Sequence, residues 1–174
     1  MFYLTVHDLV WLNSLFAGDH VPFDYERLEA CMAAQYGYGY SRDLLGQAAA
    51  FAEAMLRENP FREGNLRSGL VAVSVFLSGN GIELAPSPSV ADAVRAVHRN
   101  EADGEALLKA LIPGAVVASD ESKTVAIQPV RPSPSALRTL TEEARAILAG
   151  SLSALEAEDG PVPGWQSSPY LHRD

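Results

Sequence analysis

Cysteine is nearly absent from this chain. A single residue, Cys31, cannot close an internal disulfide, which fits a fold made in a reducing compartment. Basic residues are also few: 13 Lys plus Arg stand against 22 Asp plus Glu, a formal net charge of −9. Such a surface repels phosphodiester backbones and argues against general nucleic-acid binding. No apolar run reaches membrane-spanning length, and no basic stretch precedes a hydrophobic one at the start. The expectation is a soluble, cytoplasmic protein without a membrane partner. The four histidines, His7, His20, His98 and His172, are scattered, with no pair at metal-binding spacing. They read as surface or capping residues. No internal repeat is visible.

What remains suits one globular domain: 174 residues, 48% hydrophobic and 20% charged. Thr5, with Asp8 three residues on, resembles a capping box, and Val6, Leu9, Val10 and Phe16 follow at helical spacing as far as Gly18. A second helix is expected over about Asp24–Ala34, with Tyr25, Leu28, Cys31 and Met32 inward. Gln35-Tyr-Gly-Tyr-Gly-Tyr40 fits neither helix nor regular strand. Its tyrosines either close an edge of the core or form an exposed, adhesive loop. A third helix runs from a Ser41 cap to about Glu58, where Pro60 ends it.

The apolar run Gly69-Leu-Val-Ala-Val-Ser-Val-Phe-Leu77 is ambiguous by itself. Its three valines suit a buried strand, and periodicity cannot separate that from a buried helix. Shorter helices follow over about Ser89–His98 and Gly104–Leu111. Ala115–Ala118 and Thr124–Ile127 then read as a β-hairpin (about 115–128). Past Pro129, Pro132 and Pro134, a C-terminal helix is expected over about 135–156. Leu137, Leu140, Ala144, Ile147, Leu148, Leu152 and Leu155 lie on its inner side. The Pro-, Gly- and Ser-rich stretch 158–174 is expected to be a loose tail.

Chemistry concentrates in Asn59-Pro-Phe-Arg-Glu-Gly-Asn-Leu-Arg67. Gly64 can bend the backbone and Asn65 is a preferred N-cap, so a helix should open there with free N–H groups suited to an anion. Glu63 is a hard oxygen ligand of the kind Mg²⁺ uses beside phosphates. Arg67 offers a planar charged fork to a phosphate oxygen.

This segment resembles the signature of the Fic/Doc family, H-P-F-x-[D/E]-G-N-x-R, and the flanks resemble its Doc (death-on-curing) branch. Leu4-Thr-Val-His-Asp-Leu-Val10, Leu28-Glu-Ala-Cys31, Gln47-Ala-Ala-Ala50 and Phe76-Leu-Ser-Gly-Asn-Gly-Ile-Glu-Leu84 carry the likeness, which spans about Leu4 to Ile112. It implies a mainly α helical bundle around a central helix (about 65–78). The bundle would occupy 1–112; residues 113–157 lie outside the likeness and are expected to pack on the same domain. It also implies ATP or another nucleotide with Mg²⁺, and transfer of phosphate or a nucleotide onto a protein hydroxyl. A translation factor would be a target and a small antitoxin a partner. Residue by residue, Phe61 becomes a buried anchor and Glu63 the Mg²⁺ ligand. Gly64, Asn65 and Leu66 form the anion hole with Arg67, and Tyr36, Tyr38 and Tyr40 a target-binding flap.

The family's histidine, its general base, is here Asn59. An amide has no lone pair basic enough to take a proton near neutral pH, and losing a general base costs about 10²–10⁴ in rate. Leu70 stands where AMP-transferring members have a second arginine. Thr139-Leu-Thr-Glu-Glu143 only approximates the family's inhibitory helix, and reads as the polar start of an ordinary amphipathic one. Three readings follow: a Doc-like pseudoenzyme retaining an anion site, a non-catalytic interaction module, or a transferase using another base.

Overall fold

The computed structural model describes residues 1–36, 43–114 and 133–168. Among these the architecture is mainly helical, with eight α-helices. The expected hairpin (115–128), Tyr38 and Tyr40 of the flap, the Ser41 cap and His172 lie outside the described residues.

The first helix, α1 (Val6–Ala17), opens on the expected capping box. The Thr5 N–H donates to Asp8 Oδ2 at 2.8 Å and the Asp8 N–H to Thr5 Oγ1 at 3.2 Å. It stops at Gly18, whose φ of 86° favours glycine. The second helix, α2 (Tyr25–Tyr36), buries Leu28, Cys31, Met32 and Gln35. Tyr25, expected inward, is 44% exposed. It lies in the first turn, where the chain enters from the surface loop, and Gln35 completes the inner stripe instead.

The third helix, α3 (Leu44–Arg57), is capped by Asp43, whose Oδ1 accepts the Gly46 N–H at 2.7 Å. It packs tightly on α6 (Gly104–Leu111), because a Cβ on Gly104 would stand 2.0 Å from the Ala49 carbonyl oxygen. Against both packs α5 (Val90–His98), with Arg57 of α3 donating to the Val97 and Ala102 carbonyls.

The ambiguous valine run is helical. It forms most of α4 (Asn65–Gly79), buried from Ser68 to Leu77. The strand alternative fails because α1, α3, α5 and a later helix, α7 (Pro134–Ile147), all pack on this rod, so every side of it can be apolar. Ser74, inside the run, satisfies its hydroxyl on the Leu70 carbonyl at 2.8 Å.

The expected single C-terminal helix is two. The first, α7 (Pro134–Ile147), and the second, α8 (Ala149–Leu155), are divided at Leu148, with Gly150, a poor helix former, just beyond the break. Leu137, Thr141, Ala144, Leu148, Leu152 and Leu155 face inward, whereas Ile147 is 49% exposed. A 3₁₀ turn, Glu156–Glu158, follows.

Candidate functional site: the turn into the central helix

Asn59 to Gly64 link α3 to α4, and local contacts fix this turn. Phe61 is buried and forms an antiparallel bridge with Phe23. In that bridge the Asp24 N–H donates to the Pro60 carbonyl and the Arg62 N–H to the Pro22 carbonyl. Asn65 is the first helical residue rather than the cap. Its side chain turns back, with Oδ1 accepting the Phe61 N–H at 3.0 Å and Nδ2 donating to the Phe61 carbonyl at 2.7 Å. The N-cap is Gly64, at φ 81°. A side chain there is doubly disfavoured, since its Cβ would meet Asn13 Nδ2 at 2.8 Å. Asn13 itself is buried, and its Nδ2 donates to the Glu63 carbonyl and to Ser68 Oγ.

The start of α4 lacks any side-chain cap from its own neighbourhood. Its orphan N–H groups are satisfied from 93 residues along the chain. The Leu66 N–H donates to Asp159 Oδ1 at 2.8 Å, and the Arg67 N–H to Oδ2 at 3.1 Å. Arg67 Nε donates to the same Oδ2 at 2.9 Å, and the Gly64 N–H reaches the Asp159 backbone carbonyl at 3.0 Å. Three donors, one of them charged, therefore converge on a carboxylate that is itself buried. The arrangement joins the positive end of a helix to charge-assisted hydrogen bonding of an oxyanion.

What carries Asp159 there is the end of α8 and a strap beyond it. Arg95 of α5 grips Glu158 with Nε at 2.8 Å and the Ala154 carbonyl with Nη2 at 3.0 Å. Residues 159–168, expected to be loose, lie along the turn. The Val162 N–H donates to the Arg62 carbonyl, and Trp165 Nε1 to the Asn59 carbonyl at 2.8 Å. Arg27 stacks over Trp165 and donates to the carbonyls of Asn59 and Gln166. The far end is pinned by Asp24, whose Oδ2 accepts both the N–H and the hydroxyl of Ser168. Burial works to raise the Asp24 pKa. Hydrogen bonds from Ser168 and Arg27 outweigh it and hold the carboxyl below its ordinary range.

The other candidate residues are distributed as follows. Asn59 has φ 48°, and its Oδ1 is enclosed without a hydrogen-bond partner. Glu63 is half-buried with its carbonyl held by Asn13, and no cluster of three metal-ligating side chains occurs among the described residues. Leu66 contributes its amide and buries its side chain. Tyr36 packs edge-on against Tyr3 at 4.6 Å. His98 is structural, its Nδ1 lying 2.6 Å from the Leu56 carbonyl, while His7 and His20 line a separate cavity with Trp11. Glu142 and Glu143 are exposed on α7. Cys31 is buried, and burial pushes its thiol up to about 12, which makes it unreactive.

A cavity of about 390 Å³ opens beside Arg67, walled by Phe16, Arg145, Leu152 and Glu156. Phe16 has the Arg67 guanidinium 5.5 Å and the Arg145 guanidinium 5.2 Å from its ring centre. Sequence reasoning missed Asp159, Asp24, Arg27 and Trp165. Nothing local to them signals that they meet at this turn.

A phosphate oxygen fits the donor set at α4 chemically, though only in the position that Asp159 holds. Comparison of the chain with protein-family models, with curated proteins and with solved structures gives no match.

Proposed function

We propose that this chain is a Doc-like protein of the Fic/Doc type. On this reading it keeps an oxyanion-binding turn and has lost most or all transfer of phosphate or nucleotide to protein hydroxyls. The observation that carries the reading is the convergence of the Leu66 and Arg67 amides and Arg67 Nε on one carboxylate, directly after the Asn-Pro-Phe-Arg-Glu-Gly-Asn turn. The loss follows from Asn59, which offers no proton acceptor where the chemistry needs one. Glu63 would hold Mg²⁺ in such a site, and the α4 amides with Arg67 would hold a nucleotide phosphate. Bound there, the metal would supply charge neutralisation at the phosphate.

A second reading, a non-catalytic interaction module, is favoured by the same carboxylate, because the oxyanion donors are already satisfied within the chain. Transfer of label from ATP with Mg²⁺ onto proteins of a cell lysate separates the two. Left-handed backbone of the kind seen at Asn59 is also adopted by histidine more readily than by most residues, so Asn59→His is a fair test. The natural chain should label at least about 10²-fold less than Asn59→His. Equal labelling by both overturns the loss of catalysis, and silence from both favours the interaction module.

A further inference from the structure

We propose that residues 159–168 are a resident competitor for the oxyanion site. In this arrangement the Asp159 carboxylate holds the place of an incoming phosphate, and an anionic ligand enters only when the strap lifts. This inference rests on reading the start of α4 as an oxyanion site.

Three features support it. The first is chemical equivalence: two carboxylate oxygens take up two backbone N–H groups and a guanidinium Nε, the donors a phosphate would use.

The second is how the strap is held. Leu155 is fully buried and anchors α8, whereas no residue from Gly160 to Ser168 is buried. Beyond Asp159 the strap rests on hydrogen bonds to the Arg62 and Asn59 carbonyls, on Arg27, and on the Asp24 pin. A segment fixed by half-exposed hydrogen bonds and little apolar burial belongs to the part of a protein that opens at low free energy.

The third is space. The cavity of about 390 Å³ adjoins Arg67, and Arg145 on its wall has no carboxylate partner among the described residues. The body of a small phosphate-bearing ligand has room there, against the Phe16 ring.

Titration of the full chain with inorganic phosphate, read by calorimetry, tests the competition. Asp159→Asn should bind phosphate at least tenfold more tightly than the natural chain, and adding Arg67→Ala should abolish that binding. Equal affinity in the natural chain and Asp159→Asn overturns the competition while leaving the oxyanion site standing. Absence of saturable binding in both overturns the oxyanion site too, and makes Asp159 a helix cap alone. Should Asp159→Asn fail to fold, Ser168→Ala loosens the far end, leaving only the backbone N–H on Asp24, without touching the donors. It should raise phosphate affinity together with proteolysis inside 159–168, and faster proteolysis at unchanged affinity overturns the proposal.

Discussion

The two ends of the turn into α4 are built on opposite plans. At the Phe61 end the backbone is satisfied by Asn65, four residues away, and by the adjoining Phe23 bridge. At the Arg67 end it is satisfied by a carboxylate 92 residues distant. The first is a local lock that any folded form of the turn carries. The second is a loan from the far end of the chain, and on the reading proposed above other anions could replace it.

Substitutions sharpen that contrast. Asn65→Ala should have the largest effect, because it strands a buried N–H and a buried carbonyl of Phe61. A loss of about 2–5 kcal/mol is expected in denaturant melts, unrelieved by added formate or phosphate. Gly64→Ala adds left-handed strain and a 2.8 Å approach to Asn13, and should cost about 1–3 kcal/mol by the same measurement. Asp159→Ala removes a distant cap and should cost about 1–2 kcal/mol. Unlike the other two, it should regain part of that in molar formate. Failure of formate to restore anything would place both ends of the turn in one class.

The smallest effect is acid release of the strap. Because the folded-state pKa of Asp24 is depressed, its contribution is complete above the unfolded value of about 3.9 and fades as pH falls through the lower folded value. In a Trp11→Phe background, Trp165 emission should hold steady from pH 7 to 5 and shift red only below about pH 4. A shift already complete at pH 5 would sever the strap from Asp24.

The same division explains what could be read from the sequence. Thr5 with Asp8, the α5 and α6 stripes, and the glycine bend at residue 64 are short-range patterns, and each marks its element. The valine run could not be assigned locally, since its helicity depends on neighbours covering all sides. Asn65 looked like a cap, but its amide matches both groups of Phe61, a reciprocal fit visible only once the turn has closed. Asp159 sits in a Glu-Asp-Gly-Pro stretch that reads as loose by every local measure. Its role arises from α8 ending where it does, and from Arg95 gripping Glu158 beside it. The break at Leu148, which turns Ile147 outward, leaves little trace beyond Gly150.

The long reach of Asp159 bears on how the protein is made. At ribosomal speeds of about 5–20 residues per second, several seconds separate synthesis of Arg67 from that of the carboxylate it grips. Throughout that interval the start of the central rod is without its cap, while the later helices that pack on it are still being made. The turn into α4 is therefore completed last, when the C-terminal strap delivers its carboxylate to amides laid down at the start of the helix.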